Sequence, residues 1–329
     1  MAKLQLSVAI GDYDRTRPLI DGGVKIDGVD PVVMTLSPEE IFFRAFRHAE
    51  FDICELSLSS FSVQAATGDC PYVGVPAFVS RAFRHTSIYV RKDLIKSPAD
   101  LKGRKIGVAE YQLTANVWAR ALLSDEYAVR PSDPIWVRGG LEEPGRPEKI
   151  AVTLPATVRL EAAPSGASLN GMLVAGGIDA IISPRAPSCH ASGGTNISWL
   201  FDDPMAAAMD YYRRTRIFPI MHMVGVRRSL ADCHPWLPAA VLKAFTQAKS
   251  LAFARLADTA ASKVMLPFVE EHLRNARQLL GEDYWSYGLA ANRKTLENFL
   301  LHHHAQGLSE RLLAPQELFH ASTHETVKI

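Results

Sequence analysis

The alternation of short apolar segments with helical ones constrains the fold of this chain more than any other feature of its sequence. Residues 4–10 and 51–57 are apolar segments of strand length. Between them a helix is predicted to begin at Pro38, with Ser37 as its N-cap. Strands that alternate with helices form largely parallel sheets with helices on both faces, so the pattern predicts an α/β fold.

The alternation restarts once and later stops. A polar turn at 96–104 leads into a new strand at 105–108, and a further apolar strand is predicted at 218–226. Beyond about residue 228 only helical patterns remain, which indicates a helical C-terminal tail. The restart therefore indicates that a second lobe is inserted into the first.

A chain of 329 residues is long enough for two lobes of ~150 residues each. Residues 1–95 and 218–329 are expected to form lobe I, which includes the C-terminal helices, and residues 96–217 to form lobe II. Two chain crossings would then form a hinge, with a substrate cleft between the lobes.

Charge and hydropathy exclude several classes of partner. Lys and Arg number 36 against 35 Asp and Glu, so the net charge of +1 predicts no nucleic-acid or anionic-membrane surface. No apolar segment approaches the ~18 residues that a membrane helix requires. The N-terminal residues carry no export signal, so we expect a cytoplasmic protein. The four cysteines lack paired spacing, which indicates free thiols in a reducing compartment; they are Cys54, Cys70, Cys189 and Cys233.

Polar residues follow four of the predicted strands. Ligands of open α/β sheets bind at the carboxyl ends of strands, beside helix N-termini, so these residues are candidates for a substrate site. Turns and helix caps also require polar residues, and Thr114 is itself expected to cap a helix over 115–123. The candidates from these strand ends are Tyr13, Asp14, Arg15, Glu55, Ser57, Glu110, Tyr111 and Thr114.

Two arginines and a histidine, Arg81, Arg84 and His85, alternate with aromatic residues before another predicted strand. Guanidinium groups bind carboxylates in a bidentate manner, so the cluster suits an acidic substrate, whereas a surface turn with solvated charges is the structural alternative. His222 lies in the apolar segment 218–226, where it is either a structural histidine or a proton-transfer group. The consecutive histidines 302–304 would spread around a helix axis, which argues against a metal site.

The motifs of several enzyme classes are missing from the sequence. No Gly-x-Gly-x-x-Gly follows a strand, and no phosphate loop, Gly-x-Ser-x-Gly elbow or His-Glu-x-x-His helix occurs. Nucleotide-dependent chemistry and ordinary hydrolase chemistry therefore have no positive support.

Five segments, in this order, resemble the 4,5-dihydroxyphthalate decarboxylase family; they are residues 11–16, 51–57, 80–85, 107–115 and 218–222. The resemblance spans about residues 5–250, and the helical tail is less distinctive. It implies a two-lobed fold like that of the type II periplasmic binding proteins. It also implies a carboxy-lyase of phthalate degradation that converts 4,5-dihydroxyphthalate to protocatechuate and CO2.

This chemistry assigns roles to the candidate residues. The leaving carboxylate is para to a phenol, and an acid must protonate the ring carbon that bears it. His222 and His85 are the first candidates for that acid, with Glu110 and Glu55 in reserve. Arginine side chains would hold the two carboxylates; the candidates are Arg15, Arg81 and Arg84. The phenol acts as the electron sink, so no cofactor is required. A divalent metal bound to the catechol oxygens is an open alternative, but the sequence contains no metal-ligand motif for it.

Two other functions fit the same sequence features. A solute-binding protein for an organic anion would share the fold and the arginines, but the missing export signal counts against it. A decarboxylase of another hydroxylated aromatic acid would share the same fold and motifs. One substitution in the pocket can change the substrate, so the sequence does not distinguish the two enzymes. The oligomeric state, a homo-oligomer included, stays open at this stage.

Overall fold

A computed structural model describes residues 3–191 and 196–325 of the chain. The ends of the predicted lobe I, residues 1–2 and 326–329, lie outside the described residues. The structure divides into two compact units. Unit 1 comprises Met1–Arg81, Ile220–Glu297 and Leu313–Ile329, and unit 2 comprises Ala82–Pro219 and Asn298–Leu312.

These units differ from the expected lobes at two places. The first crossing lies after Arg81 instead of residue 95, because the strand predicted after His85 pairs within unit 2. Residues Asn298–Leu312 of the helical tail also join unit 2, so the chain crosses between the units four times and not twice.

The described residues contain eleven strands, which form one sheet in each unit. They are β1 (Leu4–Ile10), β2 (Val29–Thr35), β3 (Ile53–Ser57), β4 (Tyr72–Arg81), β5 (Ile88–Arg91), β6 (Lys105–Val108), β7 (Ile135–Arg138), β8 (Arg159–Ala162), β9 (Ala180–Ile182), β10 (Ile197–Trp199) and β11 (Ile220–Arg227).

The same residues contain eleven α-helices and four short 3-10 helices. The α-helices are α1 (Arg17–Ile20), α2 (Pro38–His48), α3 (Leu58–Thr67), α4 (Thr114–Tyr127), α5 (Leu169–Ala175), α6 (Ser188–Ala191), α7 (Pro204–Thr215), α8 (Arg228–Cys233), α9 (Leu237–Ala257), α10 (Val269–Leu280) and α11 (Leu289–Ala305). The 3-10 helices are His85–Ser87, Pro98–Leu101, Pro315–Leu318 and Ala321–Thr323. None of the described helices is long and apolar enough to cross a membrane.

Local patterns predicted most of these elements, with two corrections at helix starts. Ser37 caps α2 as expected, since its hydroxyl accepts a hydrogen bond from the Glu40 amide. The prediction that Thr114 caps α4 is wrong, because Leu113 occupies the N-cap and Thr114 is the first helical residue. The apolar pattern of residues 257–280 predicts a helix over that whole range, but the helix begins only at Val269.

The sheet of unit 1 has the order β2-β1-β3-β11-β4. Strand β1 pairs in parallel with β2 and β3, whereas β11 is antiparallel to both β3 and β4. Strand β3 is buried along its whole length, and β11 lies beside it because the chain returns from unit 2 at Ile220. This return places the polar residues of β3 and β11 on neighbouring strands.

Unit 2 contains a sheet of order β10-β5-β9-β6-β7-β8. Its strands β6, β7, β8 and β9 pair in parallel, and β5 and β10 extend it by antiparallel pairs. The predicted parallel arrangement is therefore found in four neighbouring strands of this sheet, from β9 to the β8 edge, and the antiparallel strands lie at the other edge.

Candidate active site

A buried carboxylate organises the polar cluster of unit 1. Glu55, in the middle of β3, is completely buried. One of its oxygens accepts hydrogen bonds from the Tyr13 hydroxyl, at 2.9 Å, and lies 2.5 Å from Nδ1 of His222. The other oxygen accepts a hydrogen bond from the Gly11 amide, at 3.0 Å. A buried carboxylate is stable only when donors surround it, and these three groups meet that requirement.

The local backbone explains how these three donors reach Glu55. His222 in β11 pairs with Ser57, the buried last residue of β3, and the pairing of β11 with β4 is irregular on both sides of His222. Such irregularities redirect a side chain relative to a regular strand. A side chain at Gly11 would collide with the ring of Tyr13, so glycine allows Tyr13 to fold over the end of β1.

The imidazole of His222 is held at one nitrogen. An ionised carboxylate only accepts hydrogen bonds, so Nδ1 of His222 donates to Glu55. Within the described residues Nε2 makes no hydrogen bond, and 19% of the side chain is exposed. The rings of Phe42 and His222 pack in a T-shaped arrangement, with 4.8 Å between the ring centroids. The ring is therefore oriented by Glu55 and Phe42, and its second nitrogen is available to a ligand.

Arg15 lies next to Tyr13 in the same unit. Its guanidinium lies 4.4 Å from the centroid of the Tyr13 ring and 4.4 Å from that of Trp285. Its Nε donates to the Val79 carbonyl at 2.6 Å, and Nη1 pairs with the exposed Asp14 at 3.0 Å. Within the described residues Nη2 makes no hydrogen bond, and 17% of the side chain is exposed. The end of this guanidinium can therefore bind an anion.

Arg81 has a different environment. It is 7% exposed, and its Nη2 donates to the Ser286 carbonyl, at 2.7 Å, and to Oδ1 of Asn292. The guanidinium thus connects the end of β4 to residues 286–292. The sequence-based role of Arg81 as a carboxylate ligand stays a prediction.

Electrostatics keep Tyr13 in its protonated form. Burial raises the pKa of Tyr13 well above its ordinary value, and the neighbouring Glu55 carboxylate raises it further, while Arg15 acts in the opposite direction. Tyr13 therefore stays a hydrogen-bond donor to Glu55 at neutral pH.

Glu110 of unit 2 is also completely buried but has cationic partners. Its Oε1 lies 2.5 Å from Nζ of Lys149 and 2.9 Å from Nε of Arg146, and Gln112 donates to Oε2 at 2.9 Å. Burial alone would raise the pKa of Glu110, but Lys149 and then Arg146 hold it below its ordinary value. The Glu110 carboxyl group is therefore ionised at neutral pH and unsuited to donate a proton.

His85 and Arg84 lie in unit 2 before β5. His85 is 2% exposed and packs against the rings of Phe201 and Tyr211. Burial, and to a smaller extent the charge of Arg214, lowers the pKa of His85 to about 4. Burial lowers the pKa of Arg84 to about 10. At neutral pH His85 is thus a neutral imidazole.

The remaining candidates of unit 2 surround the start of α4. Tyr111 is completely buried, and the guanidinium of Arg120 lies 3.7 Å from its ring centroid. Arg120 also donates from Nε to Gln306 at 2.7 Å, and Thr114 is 4% exposed. The Tyr111 ring is thus packed against a buried arginine for which the sequence predicted no role, and Thr114 is buried in the first turn of α4.

The structure groups the candidates of each unit separately. In unit 1 it brings together Tyr13, Asp14, Arg15, Glu55, Ser57 and His222, and it places Arg81 at the end of β4. The sequence predicts no role for Trp285, Asn292 or Lys149. The aromatic segment 284–287 was the one sequence feature that could have pointed to Trp285.

Within the described residues no group of three or more His, Cys, Asp or Glu side chains is arranged to hold a metal ion. The three consecutive histidines face separate partners: His302 lies 2.8 Å from Asp125, His303 lies beside the Ser309 hydroxyl, and His304 lies beside the Ser309 carbonyl. All four cysteines are free thiols.

Comparison with known proteins identifies close relatives, although no family model matches the chain. A 4,5-dihydroxyphthalate decarboxylase of Comamonas testosteroni is 59% identical over 330 residues, which cover 100% of both chains. A 4,5-dihydroxyphthalate decarboxylase of Pseudomonas putida is 61% identical over 214 residues, which cover 65% of this chain and 83% of that relative.

Solved structures resemble this one in fold. The periplasmic aliphatic sulphonate-binding protein SsuA of Escherichia coli gives a TM-score of 0.51 at 14% identity, covering 100% of this chain and 96% of SsuA. Protein AF1704 of Archaeoglobus fulgidus gives a TM-score of 0.53 at 14% identity, covering 92% of this chain and 98% of AF1704. The predicted α/β fold of the periplasmic-binding-protein type is therefore confirmed.

Proposed function

The chain belongs to the 4,5-dihydroxyphthalate decarboxylase family, and we propose that it converts 4,5-dihydroxyphthalate to protocatechuate and CO2. The structural observation that supports this activity most directly is the cluster around Glu55. There a buried carboxylate orients the imidazole of His222 and leaves its Nε2 available. Tyr13 connects the same carboxylate to a partly exposed arginine, Arg15.

The reaction requires one proton at one ring carbon. The 4-hydroxyl group, as it loses its proton, pushes electron density onto the ring carbon para to it, which bears the leaving carboxylate. Protonation of that carbon interrupts the aromaticity of the ring. The bond to the carboxylate then breaks, its electron pair restores the aromatic ring, and CO2 leaves. The added proton stays on the ring, and the phenol regains its own.

We assign the proton transfer to His222. An imidazolium can donate from Nε2 while Glu55 accepts from Nδ1, and the carboxylate offsets the positive charge of the ring. Because 19% of the side chain is exposed, water can return the proton between turnovers. His85 lacks a carboxylate partner of this kind among the described residues, and it is neutral at neutral pH.

We assign recognition of the retained carboxylate to Arg15. Its Nη2, which makes no hydrogen bond within the described residues, can donate to a carboxylate oxygen, and guanidinium–carboxylate hydrogen bonds are strong. The side chain combines a fixed position with partial exposure, as substrate binding requires.

We further propose that the reaction needs no cofactor, since the phenol of the substrate serves as the electron sink. The cytoplasmic location and a homo-oligomeric state stay predictions.

Incubation of purified, chelator-treated protein with 4,5-dihydroxyphthalate in D2O tests both proposals. We expect equal amounts of CO2 and protocatechuate, with one deuterium at the ring carbon that lost its carboxylate. Binding of the substrate without turnover would indicate a solute-binding protein instead. Turnover that appears only after a divalent metal is added would overturn the cofactor proposal.

A further inference from the structure

The segment 285–292 of the helical tail is fixed on the backbone of β4. Nε1 of Trp285 donates to the Phe78 carbonyl at 2.8 Å, and the Gly288 amide donates to the Pro76 carbonyl at 2.8 Å. The segment therefore has a defined position against the strand, although the tail carries the least distinctive part of the sequence.

Trp285 and Arg15 are held by successive carbonyls of that strand. The Phe78 carbonyl accepts from Trp285, and the next carbonyl, that of Val79, accepts from Nε of Arg15 at 2.6 Å. The two side chains are also in contact, since the centroid of the indole ring lies 4.4 Å from the guanidinium carbon. Tyr13 lies at the same distance from that carbon, 4.4 Å.

Two aromatic rings thus contact one guanidinium. Cation–π contacts of this kind hold a guanidinium in place, and arginine stacks well because the group is planar. Nε of Arg15 donates to the Val79 carbonyl, and Nη1 donates to Asp14. Nη2 has no hydrogen-bond partner within the described residues, so it is the nitrogen that can bind a substrate carboxylate.

We infer that Trp285 is a positioning residue that fixes Arg15 for recognition of the retained substrate carboxylate. The inference rests on the proposed function and extends it to a residue outside the segments that carry the family resemblance. Without this contact Arg15 keeps its contacts with Val79, Asp14 and Tyr13 but is less restrained, so it loses more side-chain entropy on binding. Removal of the indole should therefore weaken substrate binding without disturbing proton transfer by His222.

The first experiment measures steady-state kinetics of Trp285→Leu and Trp285→Phe. We expect Trp285→Leu to raise KM by ~10-fold, the equivalent of about 1.4 kcal/mol, with kcat within ~2-fold of wild type. Trp285→Phe keeps an aromatic ring against Arg15 and should raise KM by less than ~3-fold. The matched control is Trp236→Leu, since Trp236 belongs to the same unit and is 44% exposed.

The second experiment asks whether Trp285 acts through Arg15. In an Arg15→Ala background, Trp285→Leu should change KM by less than ~2-fold, because the group that it positions is gone. A merely structural role would raise KM by the same factor in both backgrounds, and that result would overturn the inference. If Trp285→Leu does not fold, as judged by its thermal melting, Trp285→Met, which also lacks an aromatic face for Arg15, takes its place with the same expected factors.

Failure of the proposed function is distinguishable from failure of this inference. A wild-type protein without turnover contradicts the function, and the inference is then tested by calorimetric titration of the same variants with protocatechuate. The inference is supported if Trp285→Leu binds protocatechuate more weakly than wild type and this difference is absent in the Arg15→Ala background. Equal binding by wild type and Trp285→Leu, or no binding by wild type, overturns it.

Discussion

Replacement of His222 by Gln should stop proton transfer while the substrate still binds. Gln is polar and of similar length, but it has no titratable proton to give to the ring carbon. Loss of a positioned general acid lowers a rate by ~10²- to 10⁴-fold, so we expect kcat to fall in that range. KM should change little, because Arg15 and its contacts with Tyr13 and Trp285 are not altered.

His85→Gln is the matched comparison, since His85 is the other histidine of the candidate segments. With a pKa of about 4, roughly one His85 in 10³ is protonated at pH 7. An acid so rarely protonated would forfeit about that factor in rate. We therefore expect kcat of His85→Gln to stay within ~3-fold of wild type at pH 7.

Both variants can be assayed by chromatographic quantification of protocatechuate under saturating substrate. Thermal melting shows whether each variant is folded, and calorimetric titration with protocatechuate shows whether the site still binds. Near wild-type turnover by His222→Gln would refute the assignment of the proton donor. A large loss in folded His85→Gln, with His222→Gln active, would transfer the role to His85.

Three further predictions concern Glu55, the pH dependence of stability and Lys149. Glu55→Gln removes the carboxylate that accepts from Nδ1 of His222 and should lower kcat by ~10²-fold in steady-state assays, with KM within ~3-fold of wild type; unchanged kcat would contradict the orienting role. Folding lowers the pKa of His85 to about 4, so the unfolded chain binds a proton at this residue at a higher pH than the folded chain does. The free energy of unfolding should therefore decline by about 3 kcal/mol as the pH falls from ~6.5 to ~4. Urea unfolding of wild type at pH 7 and 4.5 should show this decline. An equal decline in His85→Phe would show that it does not come from His85. Lys149→Met leaves Glu110 with one fewer cation and should reduce the free energy of unfolding by about 3 kcal/mol in urea titrations at pH 7, whereas Lys243→Met, which removes an exposed ion pair, should cost less than about 1 kcal/mol.

Local sequence patterns predicted the elements that carry the site but not their partners. Strand β3 follows from its apolar pattern, and helix α2 follows from its apolar periodicity and its Ser37 cap. These signals involve only residues that are close to one another in sequence. Strand β5 was assigned to the wrong sheet, because its apolar pattern suits either unit and only its pairing with β9 and β10 decides. The family resemblance supplied the overall fold that such patterns leave open.

The site itself depends on contacts between distant residues. Glu55 and His222 were separate candidates for the acid, and their 167-residue separation gave no indication that they share a hydrogen bond. That contact exists because β11 returns to lie beside β3. Glu110 was a similar case, since the loop that contains Lys149 showed no pattern that would place a cation on this carboxylate.

Glu55 and Glu110 are both completely buried carboxylates, but the groups that compensate their charges differ. Lys149 and Arg146 neutralise Glu110 directly, so its charge is satisfied within the fold. Among the described residues Glu55 has no lysine or arginine in a salt bridge; its partners are an amide, a phenol and an imidazole. Its negative charge is therefore shared among these three hydrogen-bond donors, one of which is the imidazole that we propose as the proton donor to the ring carbon.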